Sequence, residues 1–316
     1  MPRALAAITL AAVGATCSGT HAGSRVYSLD QCADQYVLAL APRADIAGLS
    51  RRATKADSYL RAEVGALPLR RATAESVLAA RPAVVVRYWG GDERLVADLR
   101  RLGMRVVTID DAADFSAVRV NVRRVAAALG ERRAGEAMIG RMDRRLAAAA
   151  GAWRGRGALY LTSGGDTAGR GTLIDAMLRA PGLTNLAPGA GFHALSLERL
   201  VLGPPAALVL GFFDVGLDAV QHWSLARQAP VRRLAERRAI VSLPGAILGC
   251  PAWFAADAVT RISAAKTPRL PPLNGEGDSP PGERGGVTGG AAPSGKSLTR
   301  LLVSDRIHPR HEGEGG

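Results

Sequence analysis

The chain has 316 residues, long enough for two domains with a core each, and its 47% apolar and 22% charged residues exclude a disordered protein. The formal charge of +13 comes almost wholly from arginine, since lysine occurs only as Lys55, Lys266 and Lys296. The arginines are spread along the chain and are not gathered beside stacking aromatics, which argues against a nucleic-acid partner.

Residues 1–22 read as an export signal. Arg3 supplies the positive start, Ala4–Ala15 the short apolar stretch, and Thr20-His21-Ala22 the small residues of a cleavage site. Cys17 follows Gly14-Ala15-Thr16, a poor context for lipid attachment, so cleavage after Ala22 is expected. Two cysteines then remain, Cys32 and Cys250. Export permits a disulfide, but their placement in different halves favours a pair of buried free thiols.

Arg25–Leu29 alternates like a strand, and Asp30 is placed to cap a helix running through Leu40. Asp45–Leu49, Ala83–Arg87 and Arg105–Ile109 read as further strands, with a helix over Glu93–Leu102 closed by Gly103. Strand–helix alternation of this kind predicts a parallel sheet covered by helices. Val118, Val122, Val125 and Leu129 then fall at helical spacing up to Gly130, and Glu131–Ala150 continues with Ala137, Met138, Met142 and Leu146 on one face. Twenty helical residues span about 30 Å, enough to join two lobes as their only connection and to resist hinge motion.

The second half repeats the scheme. Ala158–Thr162, Ala207–Leu210 and Ala239–Leu243 read as strands, and Thr172–Arg179, Leu197–Leu202 and Ala252–Ala265 as helices. The two halves also share a pattern: TAESVLAARPAVVV at 73–86 and SLERLVLGPPAALV at 196–209. Thr73 and Ser196 are hydroxyl caps, and Glu75 and Glu198 put a carboxylate in the first helical turn, where the helix dipole favours it. Pro82 and Pro205 then end the helix ahead of an apolar strand. The expected architecture is α/β, with two Rossmann-like lobes on parallel sheets. The lobes cover 23–124 and 155–265 and are joined by a long rigid helix over 125–154. The last 51 residues hold 11 Gly and 7 Pro and no apolar period, so 266–316 reads as a disordered tail.

Signatures of catalysis are missing. The five histidines lie at 21, 193, 222, 308 and 311, with no metal-ligand spacing and no Ser/His/Asp set. The GGDTAGRGT stretch at 164–172 lacks the Lys-Ser/Thr pair of a phosphate cradle and reads as a turn approaching a ligand. Aromatic residues are only 4%, and several fall after strands, where open parallel sheets bind ligands. Tyr59, Tyr88, Trp89, Phe192, His193, Phe212, Phe213, Trp223 and Trp253 are therefore the candidate ligand contacts, suited to a bulky, partly apolar molecule.

The sequence resembles the periplasmic substrate-binding proteins of the helical-backbone class, which serve ABC importers of cobalamin, haem and ferric siderophores. The resemblance runs from about Arg25 to Ala265. It is carried by RVYSLDQCADQYVLAL (25–40), DIAGLS (45–50), the two repeat copies, LVADLRRLGMRVVTID (95–110) and GTLIDAMLRAPGLTNLA (171–187). It implies a monomer that clasps a metal chelate or corrinoid between its lobes and delivers it to an ABC permease and its ATPase, with no catalysis and no cofactor or metal of its own. It also implies that Glu75 and Glu198 dock on permease arginines, and that Tyr88–Gly91 is similar to the aromatic-Gly-Gly stretch flanking the ligand in cobalamin-binding members. The alternatives are a two-lobed secreted enzyme of glycosyltransferase-like fold and a scavenging binding protein without a transporter.

Overall fold

The computed structural model describes residues 25–212 and 238–265. The expected export signal, the tail over 266–316, and Phe213 and Trp223 lie outside them. Strands β1 (Val26–Ser28), β2 (Ile46–Ser50), β3 (Leu69–Arg70), β4 (Val84–Tyr88) and β5 (Arg105–Ile109) form one sheet in the order β3-β2-β1-β4-β5. Every pairing in it is parallel. The helices that cross over it begin at side-chain caps. Asp30 accepts from the Ala33 amide ahead of α1 (Gln31–Leu40), and Thr73 from the Ser76 amide ahead of α2 (Ala74–Ala80). Asp92 accepts from the amides of Arg94 and Leu95 ahead of α3 (Glu93–Arg101). Each bond satisfies an amide that the first helical turn leaves unpaired.

A second sheet is built from β6 (Gly157–Thr162), β8 (Thr184–Asn185), β10 (Ala207–Gly211) and β11 (Ala239–Leu243), in the order β11-β10-β6-β8 and parallel throughout. Set against the first, β6, β10, β11 and β8 take the places of β1, β4, β5 and β2. The sequence repeat explains the match: α2 leads through Pro82 into β4, and α7 (Leu197–Leu202) leads through Pro205 into β10. Ser196 Oγ accepts from the Glu198 amide at 3.2 Å, the counterpart of the Thr73 cap. An antiparallel ribbon of β7 (Asp166–Ala168) and β9 (Phe192–Ala194) was not legible in the sequence, nor were the two-residue strands β3 and β8. Strands this short hold no alternation to read.

The expected connecting segment over 125–154 is divided between two helices, α4 (Phe115–Leu129) and α5 (Arg132–Ala149). Gly130, at φ 80°, ends α4 in a left-handed turn that a side chain would strain. Val125 and Ala126 are fully buried in α4, so the crossing helix is α5 alone, 18 residues or about 27 Å long. The two helices pack closely at Gly135, where a Cβ would fall 2.5 Å from that of Ala126. On its other side α5 packs against α9 (Ala255–Ala264), the last described helix.

That helix belongs to a second crossing, which the sequence reading did not anticipate. After β11 and the short α8 (Gly245–Leu248), residues 250–257 lie against the first lobe. Cys250 and Cys32 form a disulfide with Cα atoms 5.3 Å apart, correcting the expectation of free thiols. Tyr36 donates to the Pro251 carbonyl at 2.6 Å and meets Trp253 edge-on. Tyr59 stacks on Phe254 with ring centroids 4.1 Å apart and donates to Asp257, which also pairs with Arg145 of α5. One apolar cluster therefore runs from Val26 and Tyr36 through Val122 and Met142 to Phe254 and Tyr160. Two smaller clusters cover the other face of each sheet, around Tyr27 and Leu99 and around Leu161 and Leu208.

Candidate functional site: a cleft at the strand ends of both lobes

Parallel strands aim their carboxyl ends at one edge of a sheet, and the turns beyond them form the walls of a crevice. In this chain a cavity of about 430 Å³ lies at those edges. The first lobe contributes Tyr88 from the end of β4 and Asp111 to Ala113 from beyond β5. The second contributes Phe212 after β10, Leu248 to Pro251 after β11, Gly171 to Ile174 at the start of α6 (Leu173–Arg179), and Phe192 of β9.

Tyr88 is the best-anchored of these residues. Its amide donates to Asp30 Oδ2 at 2.6 Å and its hydroxyl to Asp111 Oδ1 at 2.9 Å. Burial, with Asp111 beside it, raises the Tyr88 phenol above its ordinary range, so the ring carries a protonated hydroxyl at neutral pH. Burial likewise raises Asp30, against the lowering effect of the Ala33 and Tyr88 amides. Phe192 faces the cleft with 66% of its surface exposed. Phe212 sits at φ 61°, a conformation that costs a bulky residue and that concentrates at binding sites. Asp111 is the only ionisable side chain other than tyrosine among the described lining residues, so the wall sets aromatic rings beside little formal charge.

A second cavity, of about 280 Å³, shares Tyr88 and is lined by Trp89, Gly90, Gly91, Asp30 and Arg87 among others. Trp89 is 51% exposed there and meets the Tyr88 ring edge-on. Of the expected ligand contacts, then, Tyr88, Phe192 and Phe212 come together in the main cleft and Trp89 lies beside it. Tyr59 and Trp253 do not reach either cavity; they pack the seam between lobes, where their rings are more useful buried than wet. His193 points elsewhere from β9, half-buried, with its buried Nε2 bonded to nothing among the described residues. Glu75 and Glu198 are exposed in the first turns of α2 and α7.

Sequence reasoning missed Asp111 and the Leu248–Pro251 stretch. Asp111 could have been found by applying the strand-end rule to polar residues as well as aromatics. The 248–251 stretch carries no such mark, because the disulfide brings it to the cleft. Among the described residues no group of three His, Cys, Asp or Glu could hold a metal ion, and no helix is long and apolar enough to cross a membrane.

Comparison of the sequence finds no matching family model and no matching curated protein. Solved structures do match. The chain is similar to the periplasmic heme-binding protein RhuT from Roseiflexus sp. RS-1 in apo form, at 27% identity and a TM-score of 0.61, over 76% of this chain and 97% of that one. It is similar to a periplasmic heme-binding protein from Pseudomonas aeruginosa at 26% identity and a TM-score of 0.56, over 77% and 94%. The vitamin B12-binding protein BtuF of Vibrio cholerae, 16% identical with a TM-score of 0.57 over 76% and 95%, shares the fold. These neighbours are binding proteins, and they carry the same two parallel lobes as this chain. In fold, and in the order of the motifs that first suggested it, the chain is similar to these two-lobed periplasmic binding proteins.

Proposed function

We propose that the protein is the periplasmic substrate-binding component of an ABC importer, and that it carries a metal chelate or corrinoid of the haem, ferric siderophore or cobalamin kind. The observation that supports this reading best is the cleft, where Tyr88, Phe192 and Phe212 offer aromatic faces from both lobes around a cavity of about 430 Å³ that carries one acidic side chain, Asp111. Such a wall suits a broad ligand with an apolar face better than a small, heavily hydrated ion. An export signal over residues 1–22 and an oxidised Cys32–Cys250 pair both suit the periplasm. Titration with hemin, cobalamin and a ferric siderophore should quench tryptophan emission for at least one class. Silence across all three would overturn the reading.

Glu75 and Glu198 occupy equivalent places in the two lobes and are the proposed contacts to permease arginines. Replacing both by Ala should leave ligand affinity unchanged, because neither lines the cleft. The fold should lose about 1 kcal/mol or less of helix-dipole support. Uptake in cells should fall sharply, since each permease arginine left unpaired at a buried interface costs roughly 2–5 kcal/mol. Normal uptake, or a loss of ligand binding that matches the loss of uptake, would refute the docking role.

A further inference from the structure

Arg87 is a buried cation whose hydrogen bonds all go to one short turn. The alternation of β4 directs it away from the core side taken by Val84, Val86 and Tyr88, toward α3 at the carboxyl edge of the sheet. It is only 4% exposed. A charge so buried is costly unless it is paired and hydrogen-bonded. Its Nε donates to the Tyr88 carbonyl at 2.8 Å, its Nη2 to the Gly90 carbonyl, and its Nη1 to Glu93 Oε1 at 2.7 Å. All three acceptors lie within the six residues that follow it.

That turn places the aromatic wall of the first lobe. Gly90 and Gly91 both take left-handed conformations, at φ 75° and 73°, with nothing within 4 Å of where a Cβ would be. The turn is thus open on its outer side and has no packing there to define it. Its other restraints include the Tyr88 amide on Asp30, the Tyr88 hydroxyl on Asp111 and the Trp89 amide on the Ile109 carbonyl, the last at 2.8 Å.

We propose that Arg87, which need not touch the ligand, is the positioning residue that fixes the Tyr88-Trp89 turn and thereby sets affinity in the cleft. Resting on the function proposed above, this adds to it a residue with no aromatic or exposed character to advertise its role. The planar fork of the guanidinium is the reason for arginine here, because three acceptors in different directions need a rigid set of donors. Lysine keeps the charge but offers a single nitrogen on a flexible stem. Glu93 is the one acceptor that a substitution can remove without touching the backbone, and its side chain is 68% exposed.

The test compares full-length wild type, R87M, R87K and E93Q. Amide hydrogen exchange reads the turn without any ligand, and titration with hemin and with cobalamin reads the cleft. R87M should exchange faster at residues 88–91 while Val84 to Val86 within β4 stay protected, a pattern that general destabilisation would not give. For whichever probe wild type binds, affinity should fall about tenfold or more in R87M and partly recover in R87K. E93Q keeps an acceptor but removes the carboxylate that pairs the buried guanidinium, so it should shift exchange at 88–91 in the direction of R87M and by less. Should R87M fail to fold, R87K carries the test, with faster exchange confined to 88–91. Unchanged exchange at 88–91 in folded R87M or R87K refutes the role of Arg87. Wild type that takes up neither probe, with the exchange pattern as expected, counts against the binding reading and leaves the role of Arg87 supported.

Discussion

Replacing Cys32 and Cys250 together by Ser should cost about 5 kcal/mol of unfolding free energy, from the loop-closure entropy of a crosslink between residues 218 apart. Denaturant unfolding of wild type and C32S/C250S, with and without a thiol reductant, measures it. The reductant should bring wild type close to the double variant and leave the variant itself unmoved. A difference below about 1 kcal/mol would show that the seam between lobes is held by its other contacts. Those contacts are substantial. The Tyr36 hydroxyl on the Pro251 carbonyl, the Tyr59–Phe254 stack and the Arg145–Asp257 pair all join the 249–264 segment to the first lobe or to α5. A loss well short of 5 kcal/mol would therefore report residual structure in the unfolded chain or compensation at this seam.

The stability that Asp34 contributes should fall as pH rises from about 4 to about 7. This residue is fully buried in α1, and its carboxylate accepts from Ser28 Oγ, from Ser50 Oγ at 2.5 Å and from the Ser50 amide at 2.8 Å. It thus ties the helix to the ends of β1 and β2. Burial nevertheless raises its pKa to about 7, against the lowering effect of those donors. Because the folded value lies above the unfolded one, the native state keeps a proton that the unfolded chain releases above about pH 4. The contribution of Asp34 to stability is then greatest below that pH and declines until the folded group ionises near 7, by roughly 4 kcal/mol for a shift of about three units. The D34N variant lacks this titration, so the wild-type minus D34N difference in unfolding free energy should slope downward between pH 4 and 7. A flat or rising difference would place the folded pKa at or below the unfolded one. D34A should be worse than D34N at every pH, since it leaves the buried Ser50 amide without an acceptor, at about 1–3 kcal/mol.

Much of the first lobe was legible because local chemistry determines it. The Asp30 and Thr73 caps, the Pro82 stop and the Val84–Val86 run each act within a few residues, so spacing alone reveals helix and strand. The repeat at 73–86 and 196–209 carried further. It foretold two sheets of one kind, and the matching strand orders show why: the same helix–Pro–strand unit delivers β4 beside β1 and β10 beside β6. Tyr88 and Phe212 could be read as cleft residues because a parallel sheet presents all its strand ends at one edge.

What only the tertiary structure decided depends on residues far apart in the chain. No spacing rule links Cys32 to Cys250 or Tyr36 to Pro251, because these meet only after the segment following α8 packs against the first lobe. That packing takes Tyr59 and Trp253 out of the cleft and brings Leu248–Pro251 into it. Arg87 looked like one more arginine of a basic chain, and only its burial behind the Tyr88 turn sets it apart. Local sequence determines which elements form and what ends them. Which side chains are buried together, and which are left to meet a ligand, is settled by the packing of elements that sequence order keeps far apart.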